Sequence, residues 1–167
     1  MDAIVNVTPD WGIGFENRLL VAIPEDLRRF RALTEGKTVI LGRKTLQTFP
    51  GGRPLKNRRN IVLSSDPDFH PEGAETVRSE KELLSLLRTL DKEQLCVIGG
   101  ESVYRQLLPY TETGDVTKID RGYQADAYFP NLDENPDFRC AEKSEEYAYF
   151  DLTYHFLTYR RASQPKT

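Results

Sequence analysis

Three things are scarce in this chain: cysteine, excess basic charge and long apolar runs. Each shortage excludes a class of protein. There are two cysteines in 167 residues. Cys96 sits inside an apolar run, and with no secretory signal the pair argues for a reducing compartment and against a disulfide framework. Lysine and arginine total 23 against 26 aspartates and glutamates, a net charge of -3, so no basic field awaits a nucleic acid. No apolar stretch approaches the roughly 20 residues that a membrane span requires. The opening Met1-Asp2-Ala3-Ile4-Val5 lacks a basic segment and reads as a strand rather than a targeting peptide. Internal repeats, low-complexity segments and dividing linkers are absent as well. The expectation is one soluble cytoplasmic domain over residues 1–160, a flexible tail over 161–167 and, with no exposed apolar stripe, a monomer. No nucleic acid, membrane partner or metal is expected.

What the chain has is strand alternating with helix. Ile4 to Val7, Lys37 to Gly42, Asn60 to Ser64 and Leu95 to Gly99 read as strands, with a weaker one over Ala74 to Val77. Ser79-Glu80-Lys81-Glu82 fits a capping box, and Leu83, Leu84, Leu87 and Leu90 give the following helix an apolar face. The last third changes character. Asp115 to Asp120, Phe138 to Ser144 and Tyr149 to Tyr159 are strand-like, and Phe150, Leu152, Tyr154 and Phe156 alternate with smaller or polar residues. These patterns predict an α/β fold. It has a mostly parallel sheet of about eight strands, about four flanking helices on both faces and an antiparallel C-terminal hairpin. From Arg160 onward the chain reads as a frayed end.

The residues with chemical content fall at the ends of these elements. In Ile23-Pro24-Glu25-Asp26-Leu27-Arg28-Arg29-Phe30, Pro24 suits the first position of a helix. Leu27, Phe30 and Thr34 recur at helical spacing, which puts Asp26 at the border of the buried face, while Glu25 faces Arg28 and Arg29 as a solvated ion-pair surface. Taken alone, Asp26 reads first as a helix-dipole or capping carboxylate. Gly42-Arg43-Lys44-Thr45 ends a strand and opens a helix, leaving unpaired amides beside two cations and a hydroxyl, a setting for phosphate. Gly99-Gly100-Glu101 repeats the design on a second strand. Two such turns at strand carboxyl ends suggest a dinucleotide lying across the sheet edge. Gly12-Ile-Gly14-Phe-Glu-Asn17 lacks the third glycine and the helix of a dinucleotide fingerprint, and reads instead as a flexible closing loop.

Taken in order, Gly12-Ile-Gly14-x-x-Asn17, Ile23-Pro24-x-Asp26-Leu27, Gly42-Arg43-x-Thr45, Arg53-Pro54-Leu55-x-x-Arg58-x-Asn60, Leu63-Ser64-Ser65, Ile98-Gly99-Gly100-x-x-Val103-Tyr104 and Phe129-Pro130 resemble dihydrofolate reductase of bacterial type. The resemblance runs from about Ile4 to Tyr159. It implies NADPH-dependent reduction of 7,8-dihydrofolate to tetrahydrofolate, with a hydride delivered to pterin C6 and a proton to N5, and a site of the kind that antifolate inhibitors occupy. Asp26 would pair with the pterin N3–H and 2-amino group, supported by Thr117. The proton would reach N5 through water. Ile4, Leu27, Phe30, Phe49 and Leu55 would wall the folate groove, and Arg58 would pair with the substrate α-carboxylate. On the cofactor side, Arg43, Lys44 and Thr45 would follow the phosphates, and Ser64, Ser65 and Arg78 the 2′-phosphate. Gly99, Gly100 and Glu101 would lie on the pyrophosphate across a cis Gly99–Gly100 peptide, followed by Val103 and Tyr104. Gly14, Asn17 and Leu19 would belong to the loop covering the nicotinamide.

Several positions depart from that pattern. Val21 and Leu20 stand where many relatives carry tryptophan and proline, and Trp11, the only tryptophan, is too far along the chain to substitute locally. Asp66 follows the serine pair and Ser102 replaces a frequent basic residue, both of which weaken the preference for NADPH over NADH. Two rivals keep most of these features: a reductase of riboflavin synthesis on the same fold, and a ligand-binding protein without turnover. Asp26 after Ile-Pro, together with Arg58, favours folate.

Overall fold

The computed structural model describes residues 1–167. Twelve strands and four helices follow one another along the chain. Strand β1 (Asp2–Val7) leads into a small hairpin, β2 (Gly12–Phe15) and β3 (Arg18–Leu19), and then helix α1 (Pro24–Thr34). Strand β4 (Thr38–Gly42), helix α2 (Arg43–Gln47), β5 (Arg59–Leu63), β6 (Glu75–Val77), α3 (Glu80–Leu87), β7 (Leu95–Gly99) and α4 (Glu101–Leu107) form the middle. Strands β8 (Thr113–Ile119), β9 (Ala127–Tyr128), β10 (Phe138–Lys143), β11 (Tyr147–Tyr149) and β12 (Leu152–Arg161) complete it. The main sheet runs β10-β12-β8-β1-β7-β4-β5-β6, with β11 paired to β12. It is parallel from β8 through β6 and antiparallel where β12 meets β8 and β10. The α/β arrangement expected from the alternation of patterns is the one found.

Burial on both faces explains why the central strands are uninterrupted apolar runs. In β4, Ile40 enters a core with Val5, Val7, Leu83, Leu107 and Phe129, whereas Val39 and Leu41 enter a second core with Leu46, Val62, Cys96 and Ile98. Period-two alternation thus serves two hydrophobic layers rather than one layer and solvent. Helices α3 and α4 cover the first face, and α1 and α2 the second. Ser79 caps α3 by accepting from the Glu82 amide at 3.1 Å, while the Glu82 carboxylate returns to the Arg78 amide at 3.0 Å. Cys96 is buried, its thiol pushed up to about 11 by desolvation, and Cys140 is exposed; both are free.

Four local expectations change. The segment after β1 is a hairpin, because Glu16 and Asn17 both adopt positive φ (50° and 60°) and close a two-residue turn without glycine. Phe150 leaves the strand: it turns the β11–β12 hairpin at φ 53° and is fully turned out to solvent, while Leu152 and Tyr154 are buried. The chain beyond Tyr159 is tied down rather than frayed. Arg161 donates to the Thr111 and Leu108 carbonyls, and the amides of Ala162 and Lys166 donate to Asp137 and Pro109. Leu27 lies on the exposed side of α1 at 50% exposure, although Thr34 on the same helix is fully buried.

Candidate active site

Asp26 settles its own ambiguity. Helix α1 has Ile23 at its N-cap with no side-chain cap, and the carboxylate of Asp26 turns away from the helix amides toward the sheet. Thr117 Oγ1 donates to Asp26 Oδ1 at 2.5 Å, and Asn6 Nδ2 donates to Oδ2 at 2.9 Å. Asn6 and Thr117 are register partners on the parallel pair β1 and β8, so both reach the carboxylate from one sheet face. The half-buried carboxylate is therefore anchored at the carboxyl edge of the sheet, where ligands of open α/β folds bind. Sequence reading missed Asn6. A polar residue on the face opposite Val5 and Val7, following the apolar run Ala3-Ile4-Val5, was the available signal.

The residues expected to wall the folate groove fall into two groups. Ile4, Phe30, Phe49 and Leu55 are each partly buried and pack on the second hydrophobic core. Leu27, one helical turn from Phe30, and Leu19, at 65% exposure, are among the few large apolar side chains left open to solvent. A leucine held open beside a carboxylate is what the wall of an unclosed groove presents. Arg58, in the loop before β5, has its Nε buried without a hydrogen-bond partner. Burial pushes the guanidinium below its ordinary value, opposed by Glu35 and reinforced by Arg31. The loop carrying Arg58 is pinned by Asn60, which bonds the Leu55 amide and the Leu55 and Arg58 carbonyls.

A second cradle lies across the sheet edge. The Gly99–Gly100 peptide is cis, with Gly99 at φ 130°. A Cβ at Gly100 would come 3.1 Å from Thr45 Oγ1, so the two strand-to-helix turns pack closely there and a side chain would press on Thr45. Gly42 and Gly100 cap α2 and α4 without any side-chain acceptor, which leaves both helix N-termini to an anion. These features fit a pyrophosphate. Arg43 is half-buried with only a long 3.5 Å contact to Gln47, and Lys44 is exposed beside it. Ser65 is exposed, whereas Ser64 is buried and its hydroxyl accepts from the Asp66 amide.

Some expected cofactor residues do other work. Arg78 spends its guanidinium on the Ser64, Asp66 and Phe69 carbonyls and on His70, so it shapes the serine loop. The Glu101 carboxylate accepts from the Tyr128 amide at 2.7 Å, which directs it to β9 and leaves its backbone at the helix start. Val103 is buried, and its Cγ2 would meet a Cβ at Gly42 at 3.3 Å, so it contributes shape. Tyr104 donates to the Ile4 carbonyl at 2.6 Å and joins α4 to β1; burial, and then the charge of Asp26, raise its phenol far above the ordinary range. Gly14 sits in the hairpin, where a Cβ would press on the Arg18 carbonyl at 3.0 Å, and Asn17 makes its turn. Trp11 is core, packed on Phe129 and Tyr159 with Lys118 over its ring. Val21 packs beside Ile23, Ile119, Leu152 and Tyr154.

The family model of dihydrofolate reductase matches residues 1–161. The chain belongs to the dihydrofolate reductase family. It is 36% identical to the dihydrofolate reductase of Bacillus subtilis over 155 residues, which cover 92% of this chain and 90% of that protein. Over 109 residues, 65% of either chain, it is 46% identical to that of Mycobacterium leprae. In structure it is similar to dihydrofolate reductase from Enterococcus faecalis complexed with NADP(H) and RAB-propyl. That match has a TM-score of 0.83 and 30% identity, and covers 97% of this chain and 96% of that one. As a dihydrofolate reductase the chain is an oxidoreductase that reduces 7,8-dihydrofolate to 5,6,7,8-tetrahydrofolate on a fold of the NADP(H)-binding class.

Proposed function

We propose that NADPH is the hydride donor and that Asp26 is the carboxylate that recognises and activates the pterin. The observation that carries the assignment is the Asp26 carboxylate, held by Asn6 and Thr117 at the carboxyl edge of the sheet. Each oxygen of Asp26 keeps a lone-pair direction for the N3–H and 2-amino group of the pterin, a bidentate charge-assisted pair worth about 1.5–3 kcal/mol per bond. The carboxylate raises electron density in the ring and makes N5 easier to protonate. Ile4, Leu27, Phe30, Phe49 and Leu55 exclude water from the ring faces, and Arg58 takes the α-carboxylate. When bound, NADPH supplies the hydride that pterin C6 receives. The uncapped starts of α2 and α4, with Thr45 and the Gly99–Gly100 turn, would hold its pyrophosphate. Dihydrofolate-dependent loss of dihydronicotinamide absorbance tests the reading, and a rate equal to the no-folate control would refute it.

Arg43 is the residue assigned to cofactor choice, together with Ser64 and Ser65. Its weak internal tie leaves the guanidinium available to a 2′-phosphate. Arg43→Ala is expected to raise KM for NADPH by about 10-fold, the loss of a charge-assisted contact, with a smaller change for NADH. Equal changes for both cofactors would move Arg43 to the shared pyrophosphate.

A further inference from the structure

We propose that Asn6 is a positioning residue for the reaction: its side-chain amide and the Thr117 hydroxyl form a two-point clamp that fixes the Asp26 carboxylate for pterin recognition. The inference rests on the assignment of Asp26 to the pterin.

The clamp is built on two adjacent strands inside the main sheet. Asn6 and Thr117 face each other on adjacent parallel strands, and each donates to a different oxygen of one carboxylate. Neither donor comes from α1, so the carboxylate is held relative to the sheet and not merely to its own helix. A carboxylate presents about four lone-pair directions. Asn6 and Thr117 use two, one per oxygen, and one per oxygen remains for a ligand edge with two parallel donors. Rotation of the carboxylate would break both protein bonds at once.

The type of donor matters as much as its place. An amide orients the carboxylate while leaving its negative charge, which the pterin ring needs; a lysine there would cancel it. A half-buried amide is also costly unless paired, and the carboxylate pairs it. Val21 carries no donor and packs into the Ile119 and Tyr154 cluster, so the polar ties to Asp26 come from the sheet alone. The neighbouring ionisable groups are otherwise engaged. On α1, Glu25 pairs with Arg28, and Arg29 lies 3.7 Å from Asp115 of β8 and over the ring of Phe156. Tyr104 of α4 and Tyr154 of β12 are held neutral, each raised first by burial.

Asn6→Leu keeps the volume and removes the donor. It is expected to lower kcat/KM for dihydrofolate about 10-fold at neutral pH and leave NADPH affinity unchanged. An unchanged kcat/KM, in a protein where Asp26→Asn is strongly impaired, would overturn the role of Asn6 and leave that of Asp26 standing. Equal losses of NADPH and dihydrofolate affinity would also overturn it, by making Asn6 a residue of the sheet alone. If Asp26→Asn is unimpaired too, the underlying site assignment fails. Should Asn6→Leu not fold, Asn6→Ala, which admits water but supplies no protein donor, is read against the same outcomes.

Discussion

Asp26→Asn is expected to leave the fold and NADPH binding intact while lowering kcat on dihydrofolate by about 10²-fold or more at neutral pH. The substitution keeps shape and removes charge. It also replaces one acceptor oxygen with an N–H₂ group. On one side of the site Asn6 and Thr117 both donate to residue 26, and on the other the pterin N3–H and 2-amino group would do so. An amide at 26 therefore sets donor against donor at one oxygen position, whichever way it flips. Ground-state binding and ring activation weaken together. Lowering the pH should recover part of the rate, since solvent then protonates N5 without help from the carboxylate. The variant is read by its pH–rate profile, with NADPH titrated separately by fluorescence quenching. Near wild-type turnover at neutral pH would remove Asp26 from the reaction.

How much of this was legible in the sequence depends on whether a feature is local. The Gly42 and Gly99–Gly100 turns could be read because apolar runs ending in glycine and followed by helix formers carry their own boundaries. The two-faced core followed from uninterrupted apolar strands. The 12–19 hairpin was not legible: its turn puts Glu16 and Asn17 at positive φ, and neither position holds the glycine that usually marks such a turn. Phe150 misled for a related reason, continuing the alternation of β12 into a turn that only pairing with β11 defines. Arg78 and Glu101 carry charges suited to a cofactor, but nearby carbonyls and an amide claim them, and those partners lie up to 27 residues away. The Asn6–Asp26 bond joins residues 20 apart on different elements, and the pairing of β1 with β8 brings in Thr117 from 91 residues away from Asp26. Periodicity places a residue on a face; it does not say what crosses the gap.

Arg58→Lys is expected to weaken dihydrofolate binding by about 10-fold or more while leaving an analogue without the glutamate tail almost unaffected. The structure sharpens the reason. Arg58 Nε is buried and unpartnered, an arrangement that costs free energy until an acceptor arrives. Burial, the largest influence on this guanidinium, already disfavours its charge, and Glu35 compensates only in part because Arg31 opposes it. A carboxylate accepting from the fork in two parallel bonds would satisfy the orphan donor and neutralise the charge in one step. Lysine keeps the charge, but its ammonium is a point donor on a flexible stem and cannot reproduce two parallel bonds in one plane. Losing one charge-assisted bond of about 1.5–3 kcal/mol gives the expected factor. The loop itself should survive, because Asn60 holds it through backbone atoms that the substitution does not touch. Comparing dissociation constants for the two ligands separates recognition from structure. If both ligands lose affinity equally, Arg58 supports the loop and the α-carboxylate is held by another group; if only the glutamate-bearing ligand does, the orphan Nε has found its acceptor.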